Sequence, residues 1–205
     1  MSPQPSTGGA CNYGATDLDH YAAINVGDAD GAEGQWQGGR ICGQCAAVSV
    51  KTPEGWKETV VGIVDKCSDA NCGIAVSGAA ARDLMGDKPG RYEGRWRFVS
   101  CTGHPEASDG APSLSVKEGS STWWALVHVR NPAQAVSAID WQSSDGASTG
   151  SFIYATEAEN FYSVPEAIHS HGMIRLTVRY RDDTQVQVLL APSQLAQPAS
   201  EIALP

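Results

Sequence analysis

A mainly β protein of two domains is predicted by three observations. Glycine and proline are abundant, 22 and 11 of 205 residues, which supplies the tight turns that short strands need. Apolar and polar residues alternate with a period of two in several segments, and only one segment has helical character. All six cysteines lie between Cys11 and Cys101, so the two halves of the chain are stabilised in different ways.

In the first half, 46–50, 60–64 and 95–99 read as strands, the last alternating Arg95 and Arg97 with Trp96 and Phe98. One helix is expected after Ser77, a capping residue, through Ala79-Ala80-Ala81-Arg82-Asp83-Leu84-Met85, with Gly86 as the left-handed residue that ends it. Polar and turn-forming residues then cluster from Thr102 to Pro112, which reads as a linker between domains at 1–103 and 104–205. In the second half Ile174, Leu176, Val178 and Tyr180 alternate with polar residues up to Asp182-Asp183-Thr184. Gln185-Val186-Gln187-Val188 follows, which is a hairpin pattern. Segments 123–129 and 136–141 add strand candidates, so an antiparallel β-sandwich is expected there, with Trp141 inside.

Charge narrows the partners. A net charge of -9 with 14 basic residues excludes nucleic acid, whose phosphates are bound by basic side chains that displace counterions, and disfavours anionic membranes. A neutral polymer carries no such penalty, whereas an anionic polymer should be repelled at low salt. No apolar run of 18 residues exists to span a bilayer. The start Met1-Ser2-Pro3-Gln4-Pro5 has no apolar secretory core, and Met1 reads as a start added to a mature form whose export signal is gone. A cytosolic protein is the alternative, against which the cysteines argue.

Six cysteines can pair in fifteen ways, and spacing does not choose among them. Three structural disulfides are expected. A zinc site from Cys42, Cys45, Cys67 and Cys72 would leave Cys11 and Cys101 unexplained, and Cys42-Gly43-Gln44-Cys45 leads into a strand rather than the helix of a redox motif. His169 and His171 lack a third ligand, so no metal and no cofactor is expected. The sharpest single feature is Asp65 in Gly62-Ile63-Val64-Asp65-Lys66-Cys67, a carboxylate where an apolar strand ends. It can face a groove, or it can simply accept backbone hydrogen bonds in a turn.

Several segments occur together in order. They are Gly8-Gly9-Ala10-Cys11-Asn12-Tyr13-Gly14, Cys42-Gly43-Gln44-Cys45, Val64-Asp65-Lys66-Cys67 and Gly94-Arg95-Trp96-Arg97-Phe98-Val99-Ser100-Cys101. Together they resemble the first domain of an expansin. The stretch 116–131, with Lys117 and Trp123-Trp124, is similar to the cellulose-binding domain of bacterial expansins. The resemblance implies a six-stranded double-psi β-barrel followed by an immunoglobulin-like β-sandwich. It implies bridges Cys11 to Cys42, Cys45 to Cys101 and Cys67 to Cys72. It also implies a secreted, monomeric protein that loosens plant cell walls without hydrolysis by binding cellulose, other neutral β-glucans or xyloglucan. By the same resemblance Asp65 is a groove carboxylate that contacts glucan hydroxyls, and Lys117, Trp123 and Trp124 are cellulose contacts.

Flat rings suit cellulose because the faces of a pyranose are apolar while its hydroxyls point sideways. A tryptophan pair within a strand would send one ring inward and one outward, and both share a surface only if a bulge or twist breaks the alternation. A third ring is expected from Asn160-Phe161-Tyr162, with Tyr162 or Phe161 standing in for the aromatic that Glu159 replaces.

The chain departs from the expansin pattern at three places. Ala75, in Ile74-Ala75-Val76-Ser77, stands where the family carries the Asp on which loosening depends. Cys67 stands where a Tyr is common. The opening strand upstream of Ser6-Thr7 has no counterpart. The barrel fold is shared with inverting endoglucanases, which need two carboxylates roughly 6.5 to 9.5 Å apart. With Ala75 in place of one, only Asp17, Asp19 and Asp69 remain as partners for Asp65, so no enzyme is expected, a weak endoglucanase being the remaining alternative. Ala75 also favours a second reading, a cellulose-binding module without loosening activity.

Overall fold

The computed structural model describes residues 9–14, 18–26, 35–69, 71–88, 90–108, 110–155 and 160–205; Ser6, Thr7, Gly8, Asp17 and Glu159, and the side chain of Ser77, lie outside it. The chain divides into two compact units, Met1–Gly110 and Ala111–Pro205. The segment expected to link them belongs largely to the first. Ala107 is buried against the Cys45 and Cys101 side chains, and the Glu106 carbonyl accepts the His20 N–H.

The first unit contains β1 (His20–Asn25), β2 (Cys45–Thr52), β3 (Gly55–Cys67), β4 (Ile74–Ser77), β5 (Gly94–Val99) and one helix, α1 (Gly78–Met85). The strands form one sheet in the order β4-β1-β3-β2-β5, five strands among the described residues rather than the six expected. Only the β1 and β3 pairing is parallel. Its core takes Ala22 and Ile24 from β1, Ala46 and Val48 from β2, and Val61 and Ile63 from β3. The helix adds Ala80 and Leu84, four residues apart and therefore on one face. It ends as expected at Gly86, whose φ of 61° is left-handed and whose N–H reaches the Arg82 carbonyl.

All six cysteines are paired, Cys11 with Cys42, Cys45 with Cys101 and Cys67 with Cys72, which are the pairs the resemblance implies. The zinc and redox alternatives are thereby removed, since no thiol is free. Gly62 shows how tightly this unit is packed: a Cβ there would lie 2.3 Å from the carbonyl oxygen of Ala107. Gly62→Ala is expected to lower stability by about 1–3 kcal/mol, the usual cost of overpacking against backbone, as read by thermal unfolding of the first unit.

The second unit contains β6 (Ser113–Val116), β7 (Leu126–Arg130), β8 (Val136–Ser143), β9 (Thr149–Ser151), β10 (Ile153–Tyr154), β11 (Tyr162–Ser163), β12 (Ile174–Tyr180), β13 (Gln185–Leu190) and β14 (Glu201–Ala203). They form two antiparallel sheets, β10-β11-β7-β6-β14 and β13-β12-β8-β9. Both sheets bury side chains in a single core, Leu114, Val127 and Val129 from one and Ile139, Trp141 and Leu176 from the other. The β12–β13 hairpin turns where expected. Asp182 Oδ1 accepts the Thr184 N–H, and Asp183 takes a φ of 65°.

Candidate functional site

Trp123 and Trp124 do not lie in a strand. Strand β7 begins at Leu126, and the pair sits in the loop between β6 and β7. The loop is held at its base, where the Lys117 N–H donates to the Leu126 carbonyl, and at its tip, where the Ser121 N–H donates to the Trp124 carbonyl. Ser120 braces it from within, its hydroxyl accepting the Leu126 N–H at 3.3 Å. Outside the strand, alternation imposes nothing on neighbouring residues. Both indoles consequently face water, Trp123 at 82% and Trp124 at 50% of full exposure. The expectation that 123–129 is a strand is therefore corrected, and the constraint that would have buried one ring goes with it.

Tyr162 and Phe161 do not supply a third exposed ring. Tyr162 is 3% exposed, paired with Val127 in β7 and packed edge-on against Tyr154 within the core. Phe161 is 4% exposed, its ring 4.7 Å from that of His128. The physical reason is position. Tyr162 lies on the inward row of a strand that adds to the β7 edge, while Phe161 precedes that strand and closes over His128. Lys117 is half-buried, and its ammonium stands 5.8 Å from the Phe161 ring centre, a cation–π contact at the foot of the tryptophan loop. Phe161 thus acts as a support beneath Lys117 rather than as a surface ring.

In the first unit, Asp65 is presented by a bulge. Ala22 pairs with Ile63 and Ala23 with Asp65, so Val64 is an extra residue in β3. Strict alternation would put Asp65 on the buried side with Ile63; the bulge moves it to the side of half-exposed Ala23. One carboxylate oxygen, Oδ1, accepts the Ala10 and Lys66 N–H groups, each at 2.8 Å. Oδ2 has no protein partner among the described residues. Asp65 therefore meets one of the two readings the sequence left open: with Oδ1 it orders a turn. Gly9 makes this approach possible, because at its φ of 45° a Cβ would fall 2.6 Å from that of Asp65.

Ala23 also pairs with Ala75 in β4. Asp65, Ala23 and Ala75 therefore form one row across three strands, with the outer Cα atoms about 10 Å apart at two strand spacings. A carboxylate at position 75 would face Asp65, but a methyl group stands there. Asp19 lies elsewhere, its carbonyl fixing the Ala79 N–H. Asp69 is held below the usual carboxylate range by the Asn71 N–H and by Arg91, whose guanidinium is 2.6 Å away. A carboxyl so held stays ionised and serves poorly as a general acid. Among the described residues no group of three His, Cys, Asp or Glu side chains could hold a metal, and no helix is long and apolar enough to cross a membrane.

No protein-family model matches the sequence, and no curated protein matches it. Solved structures do. The expansin of Clavibacter michiganensis without ligand superposes with a TM-score of 0.70 at 21% identity, over 95% of this chain and 86% of that one. The fold is that of a bacterial expansin. An Asp-to-Asn mutant of the same Clavibacter expansin, solved in complex with cellohexaose, gives a TM-score of 0.68 at 20% identity over the same shares of each chain. The expansin fold thus embraces both units, although only about one residue in five is shared.

The loop placement of Trp123-Trp124 had a faint signal in the sequence. Glu118-Gly119-Ser120-Ser121 precedes the pair, and such residues favour turns. The bulge at Val64 had none, because an apolar run continues unbroken through it.

Proposed function

We propose that this chain is an expansin-type protein that binds cellulose through Trp123 and Trp124 and loosens glucan contacts without hydrolysis. The observation that carries the reading is the pair of adjacent, exposed indoles on one braced loop, in a chain with an expansin fold. Lys117, at the foot of that loop, adds a donor for sugar hydroxyls. The first unit is a double-psi β-barrel in this reading. Its two edge strands, β4 and β5, both line one cavity of about 470 Å³, as the edges of a closing sheet would. The second unit is an immunoglobulin-like sandwich that serves as the cellulose-binding domain, which its two sheets around a single core support. Three disulfides fit an extracellular site of action. The partners are cellulose and other neutral β-glucans, including xyloglucan, engaged by a monomer without a cofactor.

Asp65 then offers Oδ2 to a glucan hydroxyl in the barrel groove. The methyl group of Ala75 in the same row favours a second reading, a binding module whose loosening action is weak or absent. One paired experiment separates them. The parent and Ala75→Asp are applied to cellulose paper, and tensile weakening and reducing-sugar release are followed together. Weakening without sugar by the parent is the expected result. Ala75→Asp is expected to weaken paper several-fold faster, because it restores a carboxylate facing Asp65. Sugar release that disappears in Asp65→Asn would refute the non-hydrolytic reading. A parent that binds but never weakens paper, with activity appearing only in Ala75→Asp, would establish the binding-module reading.

A further inference from the structure

We propose that the outward face of β3, β2 and β5 in the first unit is a second carbohydrate site, one that takes a carboxylated pyranose on Trp56 and Arg95. Trp56 lies off the cavity that Ala75 and Arg95 both border, and the site does not depend on the cellulose reading. In the sheet register Lys51 pairs with Trp56, and Ser49 pairs with both Glu58 and Arg95. Trp56, Glu58 and Arg95 therefore share one face, joined by Arg97, which pairs with Ala47. Trp56 is 47% exposed although it belongs to a paired strand. The burial of the sheet's other face leaves it nothing to cover, and a large apolar ring held open on a rigid strand is a place for a flat apolar ligand surface.

The charges around it are sorted in a telling way. Arg97 forms a fork with the Glu58 carboxylate at 3.0 and 3.3 Å, and the Ser49 hydroxyl donates to the same carboxylate at 2.6 Å. Lys51 pairs with Glu93 at 3.1 Å. Arg95 alone among the arginines and lysines of this face makes no ion pair at hydrogen-bond distance among the described residues, although its charge is felt by Glu58; its guanidinium stands 4.6 Å from the centre of a Trp56 ring. A guanidinium held over an indole by a cation–π contact spends no N–H donor on that contact, so its donors remain available to a ligand. A planar fork next to an exposed ring matches a hexuronate, whose pyranose face is apolar and whose carboxylate accepts two parallel hydrogen bonds. A neutral glucose unit would use the ring and leave the fork without an anion.

Net charge sets the conditions for observing it. At -9 the chain repels a long polyanion at low salt. A short uronate avoids most of that repulsion, and a contact made at hydrogen-bond distance survives screening over a Debye length of about 8–10 Å. The test uses the full chain carrying Trp123→Ala and Trp124→Ala, so that the loop of the second unit contributes nothing, titrated with trigalacturonate, cellotriose and tetraglutamate in about 0.15 M salt and followed by calorimetry or by amide shifts.

Trigalacturonate is expected to bind at least about tenfold more tightly than either control. Arg95→Gln should cost about tenfold or more and Trp56→Ala about fivefold or more, while Arg95→Lys, which keeps the charge but lacks the fork, should fall in between. The largest shifts are expected at residues 47–58 and 94–97. The proposal is overturned by no detectable binding of trigalacturonate, by equal binding of cellotriose or tetraglutamate, or by affinity unchanged in Arg95→Gln. None of these outcomes touches the cellulose reading, which is tested in the parent chain with neutral polymer.

Discussion

A chain carrying Trp123→Ala and Trp124→Ala together is expected to stop sedimenting with cellulose while unfolding at the same temperature as the parent. An indole laid on a pyranose face hides on the order of 80–100 Å² of apolar surface, which at about 25 cal/mol per Å² is about 2 kcal/mol per ring. Each ring is then worth about thirtyfold in affinity, and the two together enough to carry binding beyond reach of a sedimentation assay. Each single variant should retain weak binding. The fold should not notice, because both rings are exposed and the loop is held by backbone groups and by Ser120, none of which is altered. Binding through apolar faces should also change little with salt, unlike binding through charge. Unchanged sedimentation of the double variant would remove the tryptophan loop from the site.

Much of this architecture was legible in the residues. The β12–β13 hairpin was read from its alternation and from Asp182-Asp183-Thr184, since period two and turn chemistry are both local. Helix α1 was read from its alanines and Gly86 for the same reason. Strand β1 escaped, because His20-Tyr21-Ala22-Ala23-Ile24-Asn25 has weak alternation and becomes a strand by pairing with β3, some forty residues distant. Phe161 and Tyr162 were misjudged for a related reason. An aromatic pair looks alike whether it lines a surface or closes over a core, and only the pairing of Tyr162 with Val127 settles which. Asp65 was located by sequence, but its direction depends on the extra residue Val64, which only the register of β3 against β1 discloses. The Trp56 and Arg95 pair gave no sequence signal at all, being 39 residues apart and joined only through β2.

Acidification from pH 7 to pH 5 is expected to destabilise the second unit by about 2 kcal/mol, and His128 is the cause. Its imidazole is buried on β7, opposite Ser115 and against the Phe161 ring. Burial, with a smaller contribution from the Arg130 charge, holds its pKa down from 6.5 to about 3. The folded protein therefore keeps this histidine neutral at pH 5, whereas the unfolded chain takes up a proton below 6.5. Stability from the neutral form is complete above the unfolded value and is lost as pH falls from 6.5 toward 3, each pH unit costing about 1.4 kcal/mol.

The carboxylates whose pKa values are held down in this unit, Asp145 by Ser143 and Asp182 by Thr184, keep their stabilising contribution above about pH 4 and lose it only as pH falls through that range. Over the interval from 6.5 to 4.5 these carboxylates change little, and His128 carries the expected slope. His128→Leu, which keeps the volume and removes the titration, should flatten the melting temperature of the second unit across that interval. The Phe161 ring would then rest on an aliphatic side chain, and Lys117 would keep its support beside the tryptophan loop. A parent whose second unit melts at the same temperature at pH 7 and pH 5 would mean that His128 reaches water in the folded state.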